Sequence, residues 1–159
     1  MTARRASRID TIIIHCSASP NGRPFTIADV DEWHRLRGFA RDVDAPGPYK
    51  YIGYNLVIEM DGAIRRGRED LEVTAHARGY NRRALGVCLV GTDSYSPAQW
   101  GALAEVVRDW RRQYDIARVI GHCEVEPKKT CPGFAVAVWL VGSLAPLTGH
   151  VFDGLISTK

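Results

Sequence analysis

Apolar side chains in this chain gather into short β-branched runs separated by stretches of helical periodicity, an alternation that predicts an α/β domain. The first run, residues 10–15, finishes Ile12-Ile13-Ile14-His15 and reads as a buried strand. Thr26 is suited to cap a helix running to Arg37, with Ile27, Val30, Trp33, His34 and Leu36 spaced to bury one face and Gly38 ending it. Residues 42–50, centred on Ala45-Pro46-Gly47-Pro48, form a loop. Tyr54–Glu59 and Ala63–Arg66 flank Met60-Asp61-Gly62, a hairpin signal because Asp-Gly tolerates positive φ. Leu85–Val90 is continuously apolar, as a central strand covered on both faces would be. Ser96-Pro97 opens a long helix to about Tyr114, the serine capping and the proline taking the first turn; Leu103, Val106, Val107 and Trp110 recur at helical spacing. A last strand, Arg118-Val119-Ile120-Gly121-His122, precedes a loop carrying Cys131 and a terminal helix.

A length of 159 residues fits one domain with a sizeable core. No repeat, linker or low-complexity tract divides it, so one domain spans residues 1–159. Its core covers about residues 9–143, between a short polar N-terminus and a C-terminal tail. Hydrophobic content of 45% and charged content of 25% are those of a soluble globular protein. The net charge of +3 favours an anionic partner without choosing among cell-wall polymer, nucleic acid and membrane surface. Three arginine groups (Arg4, Arg5, Arg8; Arg65, Arg66, Arg68; Arg78, Arg82, Arg83) read as solvated faces rather than a nucleic-acid patch. Residues 131–149 carry no charged side chain, but Pro132, Gly133, Gly142 and Pro146 interrupt them. A helix buried against the sheet accounts for that stretch better than a membrane span of about 20 residues. No apolar segment of signal-peptide length precedes His15, which predicts synthesis in the cytoplasm without a classical export signal.

The four cysteines, Cys16, Cys88, Cys123 and Cys131, have no disulfide-framework spacing. Chemistry concentrates elsewhere. His15 and His122 each close a β-branched run, and Cys131 lies a short loop beyond the second. Any one histidine reads more simply as a hydrogen-bonded structural residue. Together, two imidazoles and a thiolate make three zinc ligands and leave a fourth tetrahedral position for water, the arrangement of catalytic zinc. A cysteine hydrolase pairing Cys16 or Cys123 with its neighbouring histidine is disfavoured, because adjacent strand residues point to opposite faces.

Ordered motifs over about residues 9–134 give this set its context. They are His15-Cys16-Ser17-Ala18, Trp33-His34, Gly53-Tyr54-Asn55, Asp61-Gly62 with Gly67-Arg68, and His76-Ala77-Arg78-Gly79-Tyr80-Asn81. Gly86-Val87-Cys88-Leu89-Val90-Gly91 and Gly121-His122 through Lys129-Thr130-Cys131-Pro132 complete them. In these the chain resembles the phage lysozyme-type zinc N-acetylmuramoyl-L-alanine amidases of the peptidoglycan-recognition-protein superfamily. The resemblance implies a single α/β domain with a central mixed β-sheet flanked by helices. It implies one Zn2+ per chain on His15, His122 and Cys131, and catalytic roles for Tyr54 and Lys129. Lys129 is favoured over Lys128 because the family's lysine lies two positions before the third ligand. His76 is implied to line the cleft, in contact with substrate or behind a ligand, and Asn81 of the same motif to contact substrate. His34 and His150 are not expected as ligands. Cys88 stands where some relatives carry a catalytic glutamate, which leaves more of the base's task to Tyr54 or zinc. Residues 41–50 are longer than the corresponding phage loop and are expected to rim the cleft.

The implied reaction is hydrolysis of the amide between the lactyl group of muramic acid and L-Ala of peptidoglycan. The implied setting is a monomeric endolysin that reaches the wall after membrane permeabilisation, with no stable nucleic-acid partner. Phage RNA polymerase is a secondary partner in some relatives. A cytoplasmic muropeptide-recycling amidase and a peptidoglycan-binding module with little catalysis are the alternatives.

Overall fold

The computed structural model describes residues 3–152. In chain order its elements are β1 (Thr11–Cys16), α1 (Ile27–Leu36), β2 (Leu56–Ile58), β3 (Ile64–Arg66), β4 (Ala84–Leu89), α2 (Pro97–Gln113), β5 (Arg118–Gly121) and α3 (Val136–Val141). The sheet order is β3-β2-β4-β1-β5, so the apolar run at Leu85 is the central strand, as its two-sided burial requires. β1 is parallel to β4 and β5, β2 is parallel to β4, and β3 pairs antiparallel with β2. The sheet is therefore mixed.

Strand alternation divides the core in two. Ile12, Ile14 and Cys16 of β1 join Leu85, Val87 and Leu89 of β4 beneath α2 and α3, where Leu103, Val107 and Trp139 are fully covered. The opposite face takes α1, whose Ile27 and Val30 pack with Ile52, Tyr54, Val57 and Cys88. β1 therefore sends Cys16 into one core and His15 toward the other.

The helix ends follow the chain's own capping chemistry. Ser96 Oγ accepts from the Gln99 amide at 3.1 Å while Gln99 Oε1 accepts from the Ser96 amide at 3.0 Å. At α1 the Thr26 amide donates to Asp29 Oδ2 at 2.8 Å. The expected buried face of α1 needs one correction: Leu36 is 68% exposed. At about 100° per residue it lies roughly half a turn from Ile27, outside the stripe that Ile27, Val30 and His34 form.

Two arginines read as solvated are buried. Arg4 donates from Nε to the Asp70 carbonyl at 2.9 Å and from Nη1 to the Asn81 and Ala84 carbonyls at 2.9 and 2.6 Å, stitching the N-terminus to the edge of β4. Arg68 donates to the carbonyls of Ile52 at 2.7 Å and Val73 at 2.9 Å. These carbonyls lie in loops or, for Ala84, at the first residue of β4, and guanidinium donors satisfy them. Residues 41–50 pack on the same side, with Arg41 bidentate to Glu72 at 2.9 and 2.7 Å.

α3 buries Val136 and Trp139 and exposes Val138 and Val141. Beyond it the chain folds back: Leu144 and Leu147 pack on the core, and the His150 carbonyl accepts from the Tyr95 amide at 2.9 Å and Trp100 Nε1 at 3.0 Å. The expected tail is thus docked as far as residue 152, and residues 153–159 lie outside the described residues. No helix among the described residues is long and apolar enough to cross a membrane.

Candidate active site

His15 projects from β1 onto the α1 side of the sheet and is 1% exposed. His122 comes one residue after β5, opening a 3-10 turn (His122–Glu124) rather than closing the strand. Cys131 returns to the end of β5 because its loop folds back: the Cys123 amide donates to the Cys131 carbonyl at 2.9 Å. Gly121 permits that return, since a Cβ there would fall 2.8 Å from Pro132 Cδ. The Cys16 amide then donates to Cys131 Sγ at 2.9 Å, a bond that favours the thiolate.

The two imidazoles and the thiol converge, their ligand atoms all lying within 4.8 Å of one another. His15 Nε2 is taken up by His76 Nδ1 at 2.8 Å, and His122 Nε2 faces Glu126 Oε2 at 3.4 Å. Nδ1 of each ring is the nitrogen left for an ion. Burial, with His76 and His122 as neighbours, holds the His15 imidazole well below its usual range. Burial also lowers His122, opposed by Glu126 and reinforced by Lys129. Both rings are therefore neutral near pH 7, the form a metal requires. Contact with the Cys16 side chain, and burial, push the Cys131 thiol up, so an ion's charge is what would draw its proton off. A closed structural site would need a fourth His or Cys; among the described residues the cluster stops at three, and its donors suit zinc with one corner open.

A cleft of about 580 Å³ opens over this cluster, a volume in the range of small-ligand sites. Tyr54, His76 and Lys129 line it together with His122 and Cys131, whereas Lys128 does not, and His15 lies buried behind its wall. The Tyr54 ring lies 4.9 Å from His15 and 5.1 Å from His34, and burial holds its hydroxyl well above the usual phenol range. Asn81 is outside the lining. Its Oδ1 accepts from the amides of His76 and Ala77 at 2.9 and 3.0 Å, so it shapes the loop that carries His76. Trp33, Arg37 and Phe39 form a wall, with the guanidinium 5.1 Å from the centre of the Phe39 ring. The rim is thus the end of α1, and residues 41–50, expected there, contribute none of the lining residues.

Cys88 pairs across from His15 in the β1–β4 register and is completely buried, its thiol pushed well up by burial. Cys16 packs in the α2-side core and reaches the cleft, where its side chain meets Cys131 rather than His15, and Cys123 lies outside the cleft. Two contributors escaped sequence reasoning. Glu126 follows His122 by four residues, a spacing that was a usable signal. His34 was read as a core residue, and it is buried, but its Nδ1 also accepts from the Gly53 amide at 2.9 Å and so holds the segment leading into Tyr54. His150 is remote from the cleft, its Nδ1 2.7 Å from the Asp93 carbonyl.

A mixed sheet with a His/His/Cys cluster at its strand ends, beside a cleft, makes this an α/β domain with a candidate metal centre. The family described as N-acetylmuramoyl-L-alanine amidase matches residues 5–134, and the chain belongs to that family. The endolysin of Escherichia phage T7 is 31% identical over 138 residues, covering 82% of this chain and 84% of its own. That of Klebsiella phage KP32 is 31% identical over 136 residues, covering 80% and 83%. Among solved structures, the endolysin amidase LysCS from Clostridium intestinale URNW has a TM-score of 0.71 at 26% identity, covering 91% of this chain and 90% of its own. The complex of peptidoglycan recognition proteins LCa and LCx with tracheal cytotoxin shares the fold, with a TM-score of 0.70 at 20% identity over 96% of this chain and 89% of that one.

Proposed function

We propose that this protein is a zinc-dependent N-acetylmuramoyl-L-alanine amidase and acts as a phage-type endolysin on peptidoglycan. The carrying observation is that the donors of His15, His122 and Cys131 meet within 4.8 Å, His122 and Cys131 lining the same cleft as Tyr54 and Lys129. His15, His122 and Cys131 would hold the ion, whose Lewis acidity serves the water and the scissile carbonyl. The chain's own groups do the rest.

Tyr54, kept protonated by burial, is a hydrogen-bond donor rather than a base, and it orients the water or the carbonyl oxygen. The Lys129 ammonium on the cleft wall stabilises the oxyanion that grows as water oxygen adds to the carbonyl carbon. When the C–N bond breaks, the L-Ala nitrogen leaves as an amine with a proton drawn from that water, and the lactyl carbon keeps its oxygen. Trp33 and Phe39 offer apolar faces to sugar and peptide, while Arg37 and Lys129 complement the acidic groups of the wall. Incubation with purified sacculi should release stem peptides with a free L-Ala amino terminus, identified by mass spectrometry. Release should cease on chelation and return with Zn2+. Intact muramoyl-peptide bonds after incubation with the zinc-loaded protein would reject the assignment.

A further inference from the structure

His76 lies between a carbonyl oxygen and a metal-ligand candidate, and the order of those partners fixes its protons. Ala84 O is 3.5 Å from His76 Nε2, and His76 Nδ1 is 2.8 Å from His15 Nε2. A backbone carbonyl has no proton to give, so the nitrogen facing it carries one. The neutral His76 ring is then bare at Nδ1 and accepts from His15 Nε2–H. His15 is left with its lone pair on Nδ1.

We infer that His76 is a positioning residue that sets the tautomer and ring orientation of His15, so that His15 presents Nδ1 to the ion. The inference rests on the zinc reading above and deepens it. Outer partners of this kind fix the orientation of a ligating imidazole and raise its basicity, and their loss typically costs about 10- to 100-fold in metal affinity.

The surroundings hold His76 to this task. Asn81 Oδ1 takes the amides of His76 and Ala77, which clamps the backbone of the loop. Gly86 of β4 provides the floor: a Cβ there would lie 2.6, 2.7 and 2.8 Å from three atoms of the His76 ring, so the ring rests on bare backbone. The ring then meets His15 edge-on, with centroids 4.8 Å apart and planes at 89°.

The test is zinc affinity of the full chain, measured by competition with a chromophoric chelator, so that it does not depend on amidase turnover. His76→Phe keeps a ring over Gly86 but removes the acceptor, and should bind zinc about 10- to 100-fold more weakly. His76→Asn puts an amide oxygen near the position of Nδ1 and should restore most of the affinity. Equal affinity in wild type and H76F, with both folded by circular dichroism, overturns the inference, as does equal loss in H76F and H76N. A wild-type protein that binds no zinc refutes the zinc reading instead. Nitrogen-15 NMR of the histidines in chelator-treated wild type needs no variant: His15 protonated at Nε2 supports the inference, and protonation at Nδ1 overturns it.

Discussion

Buried neutral histidines make this fold sensitive to acid, and His34 allows the effect to be worked out. It is 4% exposed, and its Nδ1 must be unprotonated to accept from the Gly53 amide. Burial, with Arg37 and Arg68 nearby, lowers its pKa from 6.5 to about 4. The unfolded chain therefore binds a proton between pH 6.5 and 4 that the folded chain refuses, so stability falls as pH drops through that window. At about 1.36 kcal/mol per unit the full cost is about 3 kcal/mol, of which about 2 kcal/mol has been lost by pH 5 relative to pH 7. His34→Asn keeps an oxygen acceptor near the Nδ1 position and has nothing to protonate. Urea unfolding of chelator-treated protein at pH 7 and pH 5 should give a loss about 2 kcal/mol smaller in H34N than in wild type, whatever offset the smaller side chain introduces at pH 7. Chelation is needed because zinc dissociation in acid would mimic the effect. Equal losses in the two proteins would refute the reasoning.

Two other substitutions probe separate links. Lys129→Ala should lower kcat about 10²- to 10³-fold with bound zinc unchanged, while Lys128→Ala, whose side chain does not line the cleft, should leave kcat within a few-fold of wild type; steady-state kinetics with metal analysis checks both. Arg41→Met leaves the Glu72 carboxylate buried without its bidentate partner and should cost about 3–5 kcal/mol in chemical denaturation.

Much of this architecture was legible because local rules and tertiary packing agree. The β-branched runs at Ile12, Leu85 and Val119 became parallel neighbours, and Ser96-Pro97 opened α2 at the expected residue. His15, His122 and Cys131 could be selected because strand ends and a short loop bound where they lie. Charge was misread where the fold supplied acceptors that no pattern encodes: Arg4 and Arg68 resemble surface arginines until loop carbonyls surround them. Leu36 failed because its helical angle, half a turn from Ile27, turns it to solvent. Residues 41–50 were assigned to the rim on length alone, and the Arg41–Glu72 pair anchors them elsewhere. The role of Asn81 depends on two amides that its own turn turns inward, a contact invisible in the linear motif.

Zinc K-edge absorption spectroscopy of the zinc-loaded protein tests the central claim most directly, because it reads the ion's inner shell atom by atom. The account predicts one sulfur at about 2.3 Å, two imidazole nitrogens at about 2.0–2.1 Å and one further light atom from solvent. A shell with no sulfur, with two sulfurs, or with a third imidazole in the remaining position would contradict it.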